Sequence, residues 1–186
     1  MLLLVGLGNP GPKDLNNRHN IGFKIIDAVN LHFKLSKQKP KFKGLLTTGI
    51  IDEHKVYAIK PLTFMNNSGT AIKELIDYFK IDAKNVIVFH DDLDIDFGKI
   101  KAKFSGSSAG HNGIESIDKF IGTEYSRVRI GIGKPKTKAD VSDHVLKDFD
   151  DEEILELEKI TNNITNSISL LIEKKLDLFS STVNNK

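Results

Sequence analysis

Five polar side chains spread along the sequence could together carry out general-base hydrolysis. They are one imidazole, one carboxylate and three carboxamides: Asn9, His19, Asn66, Asp91 and Asn112. An aspartate can fix the tautomer of a histidine, the histidine can take a proton from water, and carboxamides can position a polar substrate. Each residue also has an ordinary structural use, because Asn forms turns, His satisfies local hydrogen bonds and Asp caps helices. The combination nominates His19 as a general base.

The elements that must position these residues can be predicted from apolar patterns. Residues 2–7 form a continuous apolar run that ends at Gly and Pro residues, which predicts a buried strand followed by a rigid loop. Apolar residues recur at helical spacing from about Asn20, so His19 lies at the mouth of a helix. Residues 86–89 predict a second buried strand that delivers Asp91 near its carboxyl end, where ligands of α/β sheets usually bind.

Other segments alternate between strand and helix patterns. Residues 45–51 and 56–59 predict a hairpin that Pro61 ends, and the polar residues 67–68 can cap the helix that follows. Strands mixed with helices, without an internal repeat or a linker, indicate one α/β domain over residues 1–186.

The C-terminal part has the pattern of an amphipathic helix. Asp150 and Glu153 form an acidic version of the capping box. One apolar stripe then continues over residues 157–171. We therefore predict that the chain closes with one long amphipathic helix.

Composition excludes several classes of protein. Hydrophobic residues at 39% and charged residues at 28% are ordinary for a globular protein. No apolar run approaches the roughly 20 residues that a membrane span needs, and the first residues lack the basic start of a signal peptide, so we expect a cytoplasmic protein. Cysteine is absent, which excludes disulfides, zinc ribbons and thiol catalysis.

Charge is unevenly distributed although the net charge is only +2. Residues 99–138 hold nine Lys or Arg against three acids, residues 139–158 hold one Lys against nine acids, and five Lys occur within residues 34–43. Residues 99–104 and 127–132 alternate basic with apolar side chains, which predicts two half-buried strands with basic outer faces. Such zones favour a polyanionic partner, although a solvated surface explains charge alone more simply.

Two glycine motifs suggest competing functions. Residues 6–11 match the dinucleotide fingerprint G-x-G-x-x-G, but prolines separate its glycines from the next helix, so a backbone turn is the better interpretation. Residues 106–110 match G-x-S-x-G, which would make Ser108 the nucleophile of a serine esterase, with His144 later in the chain. The strand before Ser108 has an exposed basic face, which favours a flexible loop instead.

The acidic run after the second buried strand invites a metal ion. If Asp92, Asp94 and Asp96 opened an EF-hand loop, Gly and a later acid should follow, but Phe97 and Lys103 occupy those positions. We therefore expect no metal site and interpret the three carboxylates as solvated loop acids.

Across these blocks the sequence resembles the bacterial peptidyl-tRNA hydrolase family. The similarity lies in blocks that occur in the family's order over most of the chain: Val5 to Gly11, Arg18-His19-Asn20, Pro61 to Gly69, His90 to Asp94, Gly110 to Gly113, and Arg127 to Gly133. The resemblance implies a monomeric α/β fold with a mixed twisted sheet flanked by helices, and no cofactor. It also implies hydrolysis of the ester that joins a peptide to the 3′ end of tRNA.

The resemblance assigns roles to particular residues. His19 would be the general base, Asp91 would keep it basic, and Asn9 would distinguish a blocked amino group from the free amine of aminoacyl-tRNA. A larger set would bind the peptide, the acceptor stem and the 3′ end of the tRNA: Asp14, Phe64, Met65, Asn66, Lys101, Lys103, His111, Asn112 and Arg129. The strand lysines and arginines, including Lys99 and Arg127, would contact phosphates without reading sequence.

Two positions depart from the family pattern. Asp14 stands where the family usually has Tyr, and an anion cannot stack on a base as a Tyr ring can. The loop at residues 105–109 has less glycine than is usual, which predicts reduced mobility. A serine esterase that uses Ser108 and a non-catalytic tRNA-binding protein remain alternatives.

Overall fold

One seven-stranded sheet organises the computed structural model, which describes residues 1–185. The strands are β1 (Leu2–Gly6), β2 (Lys39–Lys41), β3 (Gly44–Ile51), β4 (His54–Pro61), β5 (Val86–Asp92), β6 (Ile100–Phe104) and β7 (Ser126–Gly131). Their order across the sheet is β2-β3-β4-β1-β5-β7-β6, and β4, β1, β5 and β7 are parallel. β2, β3 and β6 join by antiparallel pairing, so the sheet is mixed, as predicted. The predicted domain ends one residue beyond the described range.

Helices cover both faces of this sheet. They are α1 (Ile21–His32), α2 (Ser68–Phe79), α3 (Asn112–Ile121), α4 (Val141–Leu146), α5 (Asp151–Asn166), α6 (Ile168–Ile172) and α7 (Leu176–Asn184). α2 and α3 pack on one face with Leu3 and Val5 of β1, whereas α1, α5, α6 and α7 pack on the other with Leu2 and Leu4. Because β1 is buried on both faces, its sequence is a continuous apolar run rather than an alternating one.

Glycine allows α1 to approach the central strands closely. A Cβ atom on Gly22 of α1 would lie 2.4 Å from the Leu7 nitrogen and 2.4 Å from the Phe89 carbonyl oxygen. A Cβ on Gly6 would meet the Gly22 carbonyl oxygen at 2.2 Å. Gly6 therefore serves helix–sheet packing from within β1, rather than the backbone turn that the motif predicted. This close contact places His19, just before α1, against the ends of β1 and β5.

The predicted C-terminal helix is wrong in one respect. Its apolar stripe is buried as expected, but the backbone leaves helical geometry at Ser167, with φ −115° and ψ 8°, and forms three helices. α7 then returns along the sheet edge, where Ser180 accepts a hydrogen bond from the Ala102 backbone and Asn184 bonds both backbone groups of Ile100. The break thus lets α7 cover the free edge of β6, which one straight helix could not do. The capping box at Asp150 and Glu153 is confirmed.

Two smaller expectations are resolved by local hydrogen bonds. The hairpin of β3 and β4 is confirmed, and Pro61 is its last residue. Neither Asn67 nor Ser68 caps α2 through its side chain; Ser68 Oγ donates to the Met65 carbonyl, and Ser116 of α3 accepts from the Gly69 N–H instead.

Among residues 1–185, no helix is long and apolar enough to cross a bilayer.

Candidate active site

A cavity of about 1120 Å³ opens at the carboxyl ends of the parallel strands. Most of the predicted site residues line it together: Asn9, His19, Phe64, Met65, Asn66, Asp91, Lys103, His111, Asn112 and Arg129. The loop after β1, the turn before α1, the end of β5 and the start of α3 therefore meet, although they are far apart in sequence. Residues 134–146, which include α4, form the facing wall.

Asp91 is the buried centre of the site, with 2% of its surface exposed. His19 Nδ1 lies 2.9 Å from both of its carboxylate oxygens, and His111 Nε2 lies 2.9 Å from Oδ1. The predicted partnership of His19 and Asp91 is thus present in the geometry, while His111 joins the same carboxylate. Sequence reasoning had assigned His111 to substrate binding only, because nothing in its spacing pointed to Asp91.

The hydrogen bonds fix the tautomer of His111. This residue is the N-cap of α3, and its Nδ1 accepts from the backbone N–H groups of Gly113 and Ile114 at 3.1 and 3.3 Å. An Nδ1 that accepts must carry the lone pair, so the ring proton is on Nε2 and is donated to Asp91. The helix cap therefore makes His111 a hydrogen-bond donor to Asp91.

Among the described residues 1–185, His19 forms hydrogen bonds through one ring nitrogen only. Its Nδ1–H donates to the Asp91 carboxylate, which leaves the lone pair on Nε2 of a side chain that lines the cavity. Burial favours the neutral imidazole, but the charge of Asp91 and its hydrogen bond outweigh burial, so the pKa of His19 is raised above 6.5. The site consequently holds a base that is stronger than ordinary histidine.

The carboxylate itself remains ionised. Burial alone would raise the pKa of Asp91, yet His19 and His111 together hold that pKa far below its ordinary value. His90 differs: burial and the nearby His111 lower its pKa to about 3. Its Nδ1–H donates to the Asp91 carbonyl oxygen at 2.7 Å, so His90 is a neutral structural neighbour.

A metal ion would fit this cluster poorly. The possible ligand atoms of His19, Asp91 and His111 lie within 4.8 Å of one another. However, the His111 nitrogen that faces Asp91 carries a proton, and freeing it would break the cap of α3. The two nitrogens act as hydrogen-bond donors, which is the arrangement of an acid–base site.

In the acidic run after Asp91, the prediction of solvated loop acids is wrong for Asp92, whereas Asp94 and Asp96 are exposed as predicted. Asp92 is buried rather than solvated, because its carboxylate accepts from Arg129 Nε at 2.7 Å and from the Asp94 backbone N–H at 2.8 Å. Asp94 is paired with Lys134 at 2.7 Å. These carboxylates therefore hold basic residues of the cavity wall in place.

The orientation of the Asn9 carboxamide follows from its neighbour. Asn9 Oδ1 accepts from the Met65 backbone N–H at 2.7 Å, so Nδ2 is the end left for a ligand. Phe64, just before Met65, is 60% exposed at the cavity and has the left-handed values φ 60° and ψ 156°. Holding an exposed aromatic ring in such a strained backbone is typical of ligand-binding sites.

The basic strand faces are only partly as predicted. Lys101 pairs with Arg129, and Lys103 with Arg127, across β6 and β7, so all four share one side of the sheet. Arg127 is not an outward cation: it is 4% exposed, and its guanidinium donates to the Ser105 and Ser107 carbonyls at 2.7 Å. It fixes the loop before His111. Lys103 and Arg129 line the cavity, whereas Lys101 is exposed outside it.

Asp14 also lies away from the cavity lining. Its surface is 8% exposed, and its carboxylate accepts a hydrogen bond from Asn17 Nδ2 at 2.9 Å. Its negative charge contributes to the raised pKa of His19. The predicted contact of Asp14 with RNA would therefore lie outside the cavity, and it stays a prediction.

Arg18 links the base to the facing wall and was missed as a site residue. Its guanidinium donates to the His144 and Lys147 carbonyls at the end of α4 and to both oxygens of Glu153. The position of Arg18 next to His19 was the only signal in the sequence.

Ser108 lines the cavity, but the triad of a serine esterase does not form around it. His144, the histidine that this alternative requires, points its Nε2 to the Ile132 carbonyl at 3.1 Å. Within residues 1–185, no hydrogen bond joins Ser108 to a histidine side chain. The geometry thus gives Ser108 no base.

Fold and site together define an α/β protein with a histidine–carboxylate base at the carboxyl edge of its sheet. The sequence matches the family model described as "Peptidyl-tRNA hydrolase" over residues 3–186. It is 78% identical over 186 residues to a peptidyl-tRNA hydrolase of Pelagibacter ubique, with all of both chains covered. It is 47% identical to that of Ehrlichia ruminantium, over 97% of this chain and 93% of the relative.

Solved structures give the same result. The crystal structure of peptidyl-tRNA hydrolase from Acinetobacter baumannii superposes with a TM-score of 0.92 and 33% identity, covering 99% of this chain and 94% of that one. The chain therefore belongs to the peptidyl-tRNA hydrolase family.

Proposed function

We propose that the protein hydrolyses the ester between a peptide and the 3′-terminal ribose of tRNA, with His19 as general base. The observation that carries this proposal is the single open nitrogen of His19: Nδ1 is bound to Asp91, and Nε2 retains its lone pair at the cavity. Nε2 would take a proton from water as the oxygen attacks the ester carbonyl. The ester C–O bond then breaks, and the proton passes from His19 to the departing ribose oxygen.

Asn9 would select substrates whose amino group is blocked. Its free Nδ2 group can only donate, so it suits a carbonyl oxygen of a peptide and not the ammonium group of an aminoacyl-tRNA. Asn66 and Asn112, both exposed at the cavity, would bind the peptide backbone and the ribose hydroxyls. Carboxamides suit peptides of any sequence because they bond main-chain groups in both directions.

The tRNA would be held mainly by charge. Lys103, Arg129 and the facing-wall lysines at 134, 136 and 138 surround the cavity, and Lys101 extends the same side of the sheet. Phosphate contacts of this kind position RNA without reading its sequence. The exposed ring of Phe64 would stack on a base near the 3′ end.

This substrate is a product of translation, so we expect the enzyme to act in the cytoplasm. We also expect it to act as a monomer without metal or cofactor, since the described cavity holds the proposed base, its partner and the binding groups in one chain.

The test is to incubate the protein with N-acetyl-aminoacyl-tRNA and with the unblocked aminoacyl-tRNA. We expect rapid release confined to the blocked form, unchanged by EDTA and by a serine-directed phosphonate. Release that requires Ser108 would instead identify a serine esterase. Binding of tRNA without release would identify a non-catalytic binding protein, and loss of activity in EDTA would identify a metal enzyme.

A further inference from the structure

Asn20 holds the backbone of Asn9 by two reciprocal hydrogen bonds. Its Oδ1 accepts from the Asn9 N–H at 2.8 Å, and its Nδ2 donates to the Asn9 carbonyl at 2.9 Å. These are the two bonds that a neighbouring β-strand would supply, but here one side chain supplies them to a loop.

Asn20 ends a short 3-10 turn, Arg18–Asn20, that leads directly into α1. Its side chain makes no capping hydrogen bond to α1. Both of its side-chain bonds to Asn9 are made to the backbone of the loop, so the side chain serves the loop rather than the helix.

The pair of hydrogen bonds from Asn20 to the Asn9 backbone, here called the clamp, has little freedom to move. Asn20 is 2% exposed, and its own backbone N–H donates to the Asn17 carbonyl at 3.1 Å. Together with the Met65 bond to Oδ1, Asn9 is held at its N–H, its carbonyl and its side-chain oxygen. Only Nδ2 of Asn9 is left for a substrate.

Asn20 also follows His19 directly in the chain. The distance between the base and the amide group that faces the substrate is therefore set through one side chain, across 11 positions of sequence. A carbonyl bound by Asn9 and a water activated by His19 must be placed relative to each other for attack.

We propose that Asn20 is a positioning residue that sets selectivity for blocked substrates by fixing Asn9 relative to His19. The inference rests on the proposed function, because Asn9 is taken as the group that meets the blocked amine. It assigns to Asn20 no contact with substrate or with the reacting atoms.

The test is Asn20→Leu, which keeps the side-chain size and removes both bonds without adding a charge. The chain offers a matched control, because Asn184 makes the same two bonds to the backbone of Ile100 at the far edge of the sheet, at 2.9 and 2.7 Å. For Asn20→Leu we expect kcat/KM on N-acetyl-aminoacyl-tRNA to fall about tenfold or more, as befits a misplaced transition-state contact. Activity on free aminoacyl-tRNA should change little, so the ratio of the two falls.

The pH profile distinguishes positioning from general damage. Because Asp91 and His19 keep their bond, the acidic limb of kcat/KM in Asn20→Leu should match that of the wild type. Asn184→Leu should keep the wild-type selectivity. An unchanged selectivity ratio in Asn20→Leu, or a loss of activity with a displaced acidic limb, would overturn the proposal.

A measurement on the unaltered protein covers the case in which Asn20→Leu does not fold. Hydrogen exchange followed by NMR should find the Asn9 amide strongly protected, although it lies in a loop. Exchange of that amide at the rate of an open loop would refute the clamp. Failure of the proposed function would give a different result. The wild-type protein itself would not hydrolyse N-acetyl-aminoacyl-tRNA, while the Asn9 amide could still be protected from exchange.

Discussion

Asp91 accepts hydrogen bonds from two imidazoles that have different constraints. His111 must donate, because its other nitrogen caps α3, whereas His19 has one nitrogen free at the cavity. A carboxylate that is shared in this way keeps its orientation when His19 gains or loses a proton. The residue types of this site could be predicted from the sequence, but the second donor could not, since the cap geometry that selects its tautomer is tertiary.

The acidic limb of the pH–rate profile should lie above pH 6.5. The base must be neutral, and although burial lowers the pKa of His19, Asp91 raises it by more. Activity therefore rises with pH through the raised pKa. In Asp91→Asn the charge is lost, so the limb should move to lower pH while the plateau rate falls. Asp77→Asn, at an exposed pair with Lys73, is the control, and an unmoved limb in Asp91→Asn would contradict this account.

His111→Asn should separate the two tasks of His111. Asn is a good N-cap, so the free energy of unfolding should fall only through the bond lost to the buried Asp91, by about 1–3 kcal/mol. Asp91 also loses one of its two imidazole donors. We expect kcat to fall about tenfold or more, the effect of losing one hydrogen bond to a charged group. Urea unfolding and steady-state kinetics measure the two effects. A stable variant with full activity would show that the bond to Asp91 has no role in turnover.

At the scale of elements, the facing wall is fastened to the turn that carries His19. Arg18 is bound to the end of α4, and Glu153 both binds Arg18 and completes the capping box of α5. The capping box and the buried stripe were predictable, because caps and apolar periodicity are local. The bond between Arg18 and Glu153 could not be predicted, because it joins residues 135 positions apart. The break at Ser167, which lets α7 cover β6, could not be predicted either.

Glu153→Ala should destabilise the protein far more than a surface change. It leaves the buried guanidinium of Arg18 without its carboxylate, a loss of about 3 kcal/mol for a largely buried pair. The neighbouring Glu152 is exposed, and Glu152→Ala should cost within about 0.5 kcal/mol. Chemical denaturation of both variants tests this. Equal stability of the two would mean that the Arg18 pair contributes nothing.

At the scale of the whole molecule, the order of the strands brings distant polar loops to one edge of the sheet. Parallel pairing of β1, β5 and β7 places Asn9, Asp91 and the residues after β7 together. The α/β class and this meeting of loops could be inferred from buried runs followed by polar residues. The burial of Arg127 and Asp92 could not be inferred. Alternation of polar and apolar residues predicts which face of the sheet a side chain lies on, but not which elements pack over that face.

Acid should unfold the protein partly through His90. The pKa of His90 is about 3 in the folded state, against 6.5 ordinarily, so between these values the unfolded chain binds a proton that the folded chain does not. Stability should therefore fall as pH drops from 6.5 towards 3. His90→Phe should flatten this dependence, whereas a variant of the exposed His54 should not. Parallel pH curves for His90→Phe and the wild type would disprove the assignment.

The most direct test of the central claim is single-turnover release of N-acetyl-amino acid from tRNA by His19→Ala. If Nε2 of His19 takes the proton of water, the rate should fall at least a hundredfold or so, within the usual range for a general base. Affinity for tRNA and the unfolding curve should stay near those of the wild type, and His54→Ala should react normally. A folded His19→Ala protein that retains more than about a tenth of the wild-type rate would contradict the account, since that loss is too small for a general base.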